Sequence, residues 1–132
     1  MARGNKYNTT VKDADLYPYN EIHLSNGKQL DSYDPVVGEI ISRKATDLDK
    51  ITEETFRGYL SETLEKYSTK ETIRSNKYPA LDGLKLKGEY ILEIPASNKK
   101  LKNIQYFENI AKEYGVKSLR KESKVVQTKK QL

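Results

Sequence analysis

Hydrophobic and polar positions alternate with a period of two through the first third of the chain. An alternating run over residues 20–24 is followed by the pair Asn26-Gly27 and by a second alternating run over residues 29–34. An Asn-Gly pair between two such runs is a strong hairpin signal. Residues 36–46, after Asp34-Pro35, predict a third strand. Residues 20–46 therefore predict a three-stranded meander.

The period changes to that of a helix after residue 48. An apolar stripe predicts a helix that is capped by Asp49 or Thr52 and ends near Tyr67. The stripe consists of Ile51, Phe56, Tyr59, Leu60 and Leu64. Residues 68–88 are rich in turn residues and contain two further short strand candidates, at 72–74 and 84–87.

The last third predicts a strand, a helix and a final strand. Residues 89–95, "EYILEIP", predict a buried strand that Pro95 ends. A helix over 100–114 follows, with Gly115 as its C-cap and with Ile104, Phe107, Ile110 and Ala111 facing inward. Residues 116–120 predict an edge strand.

The resulting order, β-β-β-α-β-α-β, predicts an α/β fold with a central mixed sheet, meander first, flanked by helices. Residues 1–18 are polar and poorly periodic and predict an N-terminal arm. The domain itself is expected over 19–121, and a frayed tail over 122–132.

Composition and charge exclude several classes of mechanism. Of 132 residues none is cysteine and one, His23, is histidine. Disulfides, thiolate zinc sites, cysteine nucleophiles and paired-histidine mechanisms are therefore excluded. The chain has no apolar run long enough to span a membrane and no visible signal peptide. The formal net charge of +5 favours polyanions or an acidic partner, although it is also typical of soluble basic proteins in general.

One group of residues suggests chemistry. Ser42 and Lys44 are two apart on a predicted strand and so project to one face, and Asp31 lies on the preceding strand. A carboxylate that holds a divalent metal, with a lysine that stabilises transition-state charge, suits phosphodiester cleavage. Spacing alone favours a structural interpretation, since the pattern is short. In that interpretation Asp31 caps a turn, Ser42 points outward and Lys44 protects a sheet edge.

Other candidates are weaker. Glu93 lies opposite Leu92 on its strand, where a structural role is favoured. His23 is a lone strand histidine, and Glu122-Ser123-Lys124 is a carboxylate-x-lysine match by chance. Tyr59, Tyr67 and Tyr106 suit core or rim packing. A set of basic residues suits either a phosphate track or a solvated face: Arg74, Lys77, Lys85, Lys87, Lys99 and Lys100.

The stretches "LDSYDPVVGEIISRKATDLDKI" and "KLKGEYILEIP" resemble C-terminal nuclease domains of bacterial polymorphic toxins, including contact-dependent growth-inhibition toxins. These belong to the PD-(D/E)xK, restriction-endonuclease-like superfamily. The resemblance covers about residues 17–114. It implies that Asp31 binds metal, that Ser42 replaces the usual second carboxylate at the metal, and that Lys44 is the catalytic lysine.

The resemblance also implies cofactor, partners and setting. We expect one divalent ion, Zn²⁺ or Mg²⁺ with Mn²⁺ as a further option. The family's opening helix often adds a glutamate to the metal site, but residues 1–18 predict no such helix; Glu21, Asp13, Asp15 or a residue upstream of Met1 could replace that glutamate, and none matches a motif, so none is assigned. The substrate is expected to be DNA, with RNA such as tRNA as the alternative. An acidic immunity protein would neutralise the domain, which would be delivered from the cell surface or by secretion into a target-cell cytoplasm. The alternative from another class is a non-catalytic basic nucleic-acid-binding module or an immunity-type partner.

Overall fold

The computed structural model describes residues 16–121 and contains one five-stranded sheet with two α-helices. Its strands are β1 (Tyr19–His23), β2 (Gln29–Asp34), β3 (Glu39–Arg43), β4 (Glu89–Glu93) and β5 (Val116–Arg120). Its helices are α1 (Glu53–Lys66) and α2 (Ile104–Glu113). The predicted mixed α/β class is confirmed. Most of the predicted arm, residues 1–15, and the predicted tail, 122–132, lie outside the described residues.

The sheet changes from antiparallel to parallel at β3. The strand order is β1-β2-β3-β4-β5, with β1, β2 and β3 antiparallel and β3, β4 and β5 parallel. Parallel neighbours need a crossover, and α1 and α2 supply the two crossovers. β3 is therefore the central strand, and its carboxyl end lies beside that of β4. In residues 16–121 no helix is both long and apolar enough to cross a lipid bilayer.

Both helices pack on the same face of the sheet, here called the helix face. Phe56 and Leu60 of α1 meet Leu92 of β4 and Phe107 of α2 in one buried cluster. The Phe56 and Phe107 rings stack edge to face with centroids 5.1 Å apart. α1 begins at Thr52, whose hydroxyl accepts the Thr55 amide at 3.1 Å, as one of the two predicted caps. Burying this aromatic and aliphatic stripe fixes α1 over the end of β3.

The other face of the sheet, here called the Tyr17 face, is covered by residues that precede β1. Tyr17 is 2% exposed and packs on Ile41 and Ile91, with Leu16 beside it. Alternation along β3 therefore sends Ile41 and Arg43 to the Tyr17 face, while Ser42 points to the helix face.

The third strand is shorter than the pattern predicted. It covers Glu39–Arg43 and not residues 36–46, because a turn occupies Pro35 to Gly38. Asp34 Oδ1 accepts the backbone amides of Val36 and Val37, each at 3.1 Å, and Gly38 closes the turn with φ +84°. Val36 is consequently 93% exposed, so apolar residues at this turn gave a false strand signal.

The second helix starts later than predicted, at Ile104, because Ala96–Lys100 form a 3-10 helix after Pro95. The two short strands predicted in 68–88 are wrong: residues there make only the isolated bridges Leu24↔Ile73 and Thr72↔Lys85. Ile73, Leu81 and Leu86 nevertheless pack this segment onto the meander. The edge strand and the Gly115 cap, with φ +80°, are confirmed.

Candidate active site at the β2–β3 fork

The strands β2 and β3 separate at one end, and Asp31 lies at the point of separation. Their pairing runs from Asp34↔Glu39 to Ser32↔Ile41, although β2 extends back to Gln29 and β3 onward to Arg43. At the next position the Asp31 carboxylate takes over the role of a backbone acceptor. Its Oδ2 accepts the backbone N–H of Arg43 at 2.7 Å. A carboxylate is thereby fixed beside the residue between Ser42 and Lys44.

Ser42 and Lys44 both face α1, as their spacing on β3 predicted. Ser42 Oγ lies 3.2 Å from Thr63 Oγ1, and Lys44 Nζ lies 3.1 Å from Glu62 Oε1. The Lys44 ammonium also lies 5.1 Å from the centroid of the Tyr59 ring, within cation–π range. The structure thus brings Asp31, Ser42 and Lys44 to the same end of the sheet, under one helix.

The placement of these residues differs in detail from the structural interpretations that spacing had favoured. Asp34, not Asp31, holds the β2–β3 turn. Ser42 is 3% exposed, so it is not an outward polar residue. Lys44 follows the central strand of the sheet and cannot protect an edge. Each of the three side chains instead has another structural contact, with the Arg43 amide, Thr63 and Glu62 respectively.

The Ser42 hydroxyl is oriented by its neighbour on α1. Thr63 Oγ1 lies 2.9 Å from the carbonyl oxygen of Tyr59, which can only accept a hydrogen bond. Since Thr63 has one hydroxyl proton, it donates that proton to Tyr59 and accepts from Ser42. The lone pairs of Ser42 Oγ then remain for another partner, such as a cation.

Burial and the neighbouring positive charges act in opposite directions on the pKa of the Asp31 carboxyl. Burial raises the pKa of the Asp31 carboxyl, while the Arg43 amide and the positive charges of Arg43 and Lys44 act to lower it. The pKa of Glu62 is lowered, first by its hydrogen bond from Lys66 and then by Lys44. The charged carboxylate of Asp31 therefore contributes little to folding, since burying a carboxylate disfavours its charged form.

Sequence reasoning missed the contribution of α1. Glu62 and Thr63 contact Lys44 and Ser42 from 18 and 21 residues away in the chain. A signal was present for Thr63, because it continues the stripe of Phe56 and Leu60 as a polar residue at a buried position. Glu62 gave no such signal, since a half-exposed helical glutamate is typical of a solvated surface.

Arg43 and Glu93 form a buried ion pair on the Tyr17 face. Arg43 Nε lies 2.6 Å from Glu93 Oε1, and their side chains are 3% and 1% exposed. Arg43 also donates to Ser32 Oγ at 2.7 Å, and the Tyr17 hydroxyl donates to Glu93. Glu93 is thus on the face opposite Ser42, and its geometry agrees with the structural role favoured from the sequence. The pair anchors the end of β3 whose amide holds Asp31.

The candidates for a third ligand differ in position. The register of β1 and β2 places Glu21 across from Asp31, between the pairs Asn20↔Ser32 and Ile22↔Leu30. Glu21 has φ +55°, a left-handed conformation that is uncommon for a residue with a side chain. Asp13 and Asp15 lie outside the described residues, as does Glu122-Ser123-Lys124. Of the named candidates, Glu21 is thus the one that lies within the described residues and on the strand beside Asp31.

The remaining candidates lie elsewhere or are dispersed. His23 is exposed at the end of β1, Tyr67 is buried in the core beneath the meander, and Tyr106 is 51% exposed on α2. The six basic residues are all exposed. Lys87 precedes β4 whereas Lys99 and Lys100 follow it, so the set is divided between opposite ends of that strand. It does not form one continuous track.

Two surface grooves flank the meander. The first, of about 510 Å³, lies between the β1–β2 turn and α1 and includes Glu62, the partner of Lys44. Its lining residues are Asn26, Lys28, Gly58, Ser61, Glu62, Glu65 and Lys66. The second, of about 380 Å³, is more apolar and lies at the Val36 turn, at the other end of β2 and β3. The first groove thus shares Glu62 with the surroundings of Lys44.

The donor set at the fork fits a hard cation better than a soft one. It offers the second oxygen of Asp31 and the hydroxyl oxygen of Ser42. Within residues 16–121 no group of three or more His, Cys, Asp or Glu side chains is arranged to hold a metal. Oxygen ligands in small number, completed by water and substrate phosphate, are typical of Mg²⁺, whereas Zn²⁺ sites use more protein ligands. No family model, curated protein or solved structure matches this chain.

Proposed function

We propose that this chain is a metal-dependent nuclease domain with a restriction-endonuclease-like core, of the kind found at the C-termini of bacterial polymorphic toxins. The observation that carries the proposal is the fork. There a carboxylate, a buried hydroxyl and an ammonium converge on one end of a sheet whose meander precedes two parallel crossovers. Metal-assisted phosphodiester hydrolysis can use these three kinds of group.

Each side chain has a role that follows from its position. Asp31, with one oxygen engaged by the Arg43 amide, presents the other to a cation. Ser42 offers its lone pairs beside it, since its proton is directed to Thr63. The ammonium of Lys44 neutralises negative charge that develops on the phosphate in the transition state.

One divalent ion fits this arrangement. A bound Mg²⁺ or Mn²⁺ would polarise the phosphate and lower the pKa of a coordinated water, the usual chemistry of such an ion. Asp31 and Ser42 would hold it, and Glu21, which lies across from Asp31 in the strand register, is a candidate for a further ligand. Zn²⁺ remains within the proposal as a less suitable ion for these oxygen donors.

We assign DNA as the substrate, with RNA such as tRNA as the alternative. The positive net charge suits either polyanion, and it suits an acidic immunity protein as the inhibitor. In this proposal, one bacterium delivers the domain into the cytoplasm of a competitor. A non-catalytic basic nucleic-acid-binding module would share the charge but would have no use for the fork.

The test is a cleavage assay with both polymers. Purified protein is incubated with supercoiled plasmid and, separately, with total tRNA, first with EDTA and then with Mg²⁺, Mn²⁺ or Zn²⁺ added back. We expect cleavage that EDTA abolishes, that Mg²⁺ or Mn²⁺ restores, and that favours the plasmid. Degradation of tRNA alone would select the RNase alternative.

The matched variants are Lys44→Ala and Lys50→Ala. Lys50 is an exposed lysine of the next segment, with its Nζ 3.8 Å from Asp47 Oδ2. We expect Lys44→Ala to lose at least about a hundredfold in rate while retaining its melting temperature, and Lys50→Ala to cleave like wild type. If folded Lys44→Ala cleaves as fast as wild type, or if binding occurs without cleavage under every metal, the proposal is wrong.

A further inference from the structure

The α1 helix holds the Lys44 ammonium through a carboxylate that is itself held. Glu62 Oε1 lies 3.1 Å from Lys44 Nζ and 2.5 Å from Lys66 Nζ. One carboxylate oxygen thus joins a lysine of the sheet to a lysine one turn along the same helix. The backbone of Lys66 is tied to the sheet as well, because its carbonyl oxygen accepts the side-chain amide of Asn26, in the β1–β2 turn, at 2.8 Å.

We infer that Glu62 is a positioning residue that holds the Lys44 ammonium at the fork. Glu62 affects the proposed nuclease reaction through Lys44 alone. The inference rests on the proposed function for its effect on rate. Glu62 and Thr63 are successive residues, and they contact Lys44 and Ser42 respectively. One turn of α1 therefore sets two of the three side chains of the site.

The contacts around Lys44 explain why it needs such a partner. A lysine side chain has four rotatable bonds, and this one is 30% exposed, so without a partner it would sample many rotamers. Glu62 on one side and the Tyr59 ring on the other restrict the ammonium to one place beside the fork. Misplacing a catalytic group by about 1 Å can cost a hundredfold in rate.

A plain surface ion pair is the competing interpretation. The side chains of Glu62 and Lys66 are 38% and 36% exposed, and exposed pairs contribute little to folding. Such a pair would leave the cleavage rate unchanged when Glu62 is neutralised. The two interpretations therefore differ in rate and not in stability.

The rate experiment compares Glu62→Gln with Glu54→Gln, an exposed glutamate in the first turn of the same helix. For the substrate that the wild type cleaves, we expect Glu62→Gln to lower kcat roughly tenfold to a hundredfold with KM little changed. Glu54→Gln is expected to remain within about twofold of wild type. Both variants should keep the wild-type melting temperature within a few degrees.

A double variant separates positioning from general damage. If Glu62 acts through Lys44, then Glu62→Gln combined with Lys44→Met should be no slower than Lys44→Met alone. Additive losses would overturn the inference, as would wild-type kinetics in Glu62→Gln. If the wild-type protein cleaves neither DNA nor RNA, the proposed function is wrong. That result comes from the wild type alone, so it is distinct from a failure of the inference about Glu62.

The contact between Glu62 and Lys44 can also be tested without an activity assay, by measuring the pKa of the Glu62 carboxyl in a ¹³C NMR titration. Its pKa is below the ordinary value because of Lys66 and Lys44. We expect the pKa to rise in Lys44→Met and to rise further in Lys66→Met, with Lys50→Met as the unchanged control. A Glu62 titration that is the same in Lys44→Met and wild type would show that the pair is absent in solution and would overturn the inference.

Discussion

The Asp31 carboxylate accepts the backbone N–H of Arg43 at 2.7 Å, at the position where β2 and β3 stop pairing. This bond replaces a strand-to-strand hydrogen bond with a side-chain one. It places a carboxylate in a partly buried notch next to Ser42 and Lys44. Burial there raises the pKa of the Asp31 carboxyl, so the charged form is held at some cost to the fold.

Replacement of Asp31 by asparagine should therefore abolish cleavage but stabilise the fold at neutral pH. Because the folded-state pKa lies above the unfolded value of 3.8, folding favours the protonated carboxyl. That contribution is fully present below pH 3.8 and is lost as pH rises through the folded pKa. Asparagine imitates the neutral form at every pH. We expect Asp31→Asn to melt higher than wild type at pH 7 and the difference to shrink towards pH 4.

Differential scanning calorimetry between pH 4 and 8 measures this difference. Asp49→Asn, at an exposed position of the 3-10 helix Leu48–Lys50, is the control for the loss of a surface carboxylate. A variant Asp31→Asn that is less stable than wild type at pH 7 would mean that the charged carboxylate stabilises the fold.

Ser42→Ala and Thr63→Val should separate the hydroxyl at the fork from the hydrogen bond that orients it. Ser42→Ala removes the proposed ligand while Thr63 keeps its bond to Tyr59, so it should cost about 1 kcal/mol in stability. Its cleavage rate should fall about tenfold or more and should need more metal. Thr63→Val leaves the Ser42 hydroxyl in place and should lose only a few-fold in rate.

The two variants are compared by metal titration of the cleavage rate and by urea unfolding. Since Thr63→Val leaves a buried hydroxyl without its partner, it should be destabilised by about 1–3 kcal/mol. Thr63→Val should thus be the less stable of the two variants, and Ser42→Ala the less active. If Ser42→Ala cleaves like wild type at every metal concentration, Ser42 is not a ligand.

Glu93 should matter for stability and not for chemistry. Removing one partner of a buried ion pair typically costs about 3–5 kcal/mol. We expect that loss for Glu93→Leu, because Arg43 is 3% exposed in its side chain. The double variant Glu93→Leu with Arg43→Met should recover most of the stability, as hydrophobic replacements of buried pairs often do.

Urea unfolding gives the comparison, and the pair Lys117–Glu89 supplies the control. Its side chains are 60% and 61% exposed with N and O atoms 2.7 Å apart, so Glu89→Gln should leave the unfolding midpoint unchanged within error. A double variant no more stable than Glu93→Leu would contradict the expectation, as would a folded double variant that has lost cleavage.

Two glycines should respond oppositely to alanine. A Cβ on Gly88, with φ +130°, would lie 2.7 Å from the backbone C and O atoms of Gly38, which closes the β2–β3 turn. We expect Gly88→Ala to lose roughly 2–3 kcal/mol. Gly58 is inside α1, where an added methyl group would meet nothing within 4 Å, and Gly58→Ala should gain about 0.5–1 kcal/mol. Urea unfolding of both variants tests the pair, and similar effects would contradict the close approach of the two loops.

Much of the fold could be predicted from the chain because its signals are local. The Asn26-Gly27 turn, the Thr52 cap, the buried strand before Pro95 and the Gly115 cap each depend on residues within a few positions of one another. The alternation along β3 was enough to place Ser42 and Lys44 on one face. Where local signals misled, as at Val36, a side chain of the turn itself decided the outcome: Asp34 bound the amides that a longer strand would have used.

The arrangement of the candidate site was decided only by the tertiary structure. Whether Asp31 meets the end of β3 depends on where two strands stop pairing, and the contacts of Lys44 depend on which turn of α1 passes over it. The partner of Arg43 lies 50 residues away, on a strand that alternation alone could assign to a face but not to a neighbour. Periodicity determines which way a side chain points. Only long-range packing, which buries the apolar stripes of α1 and α2 against β4 and β5, determines what it meets there.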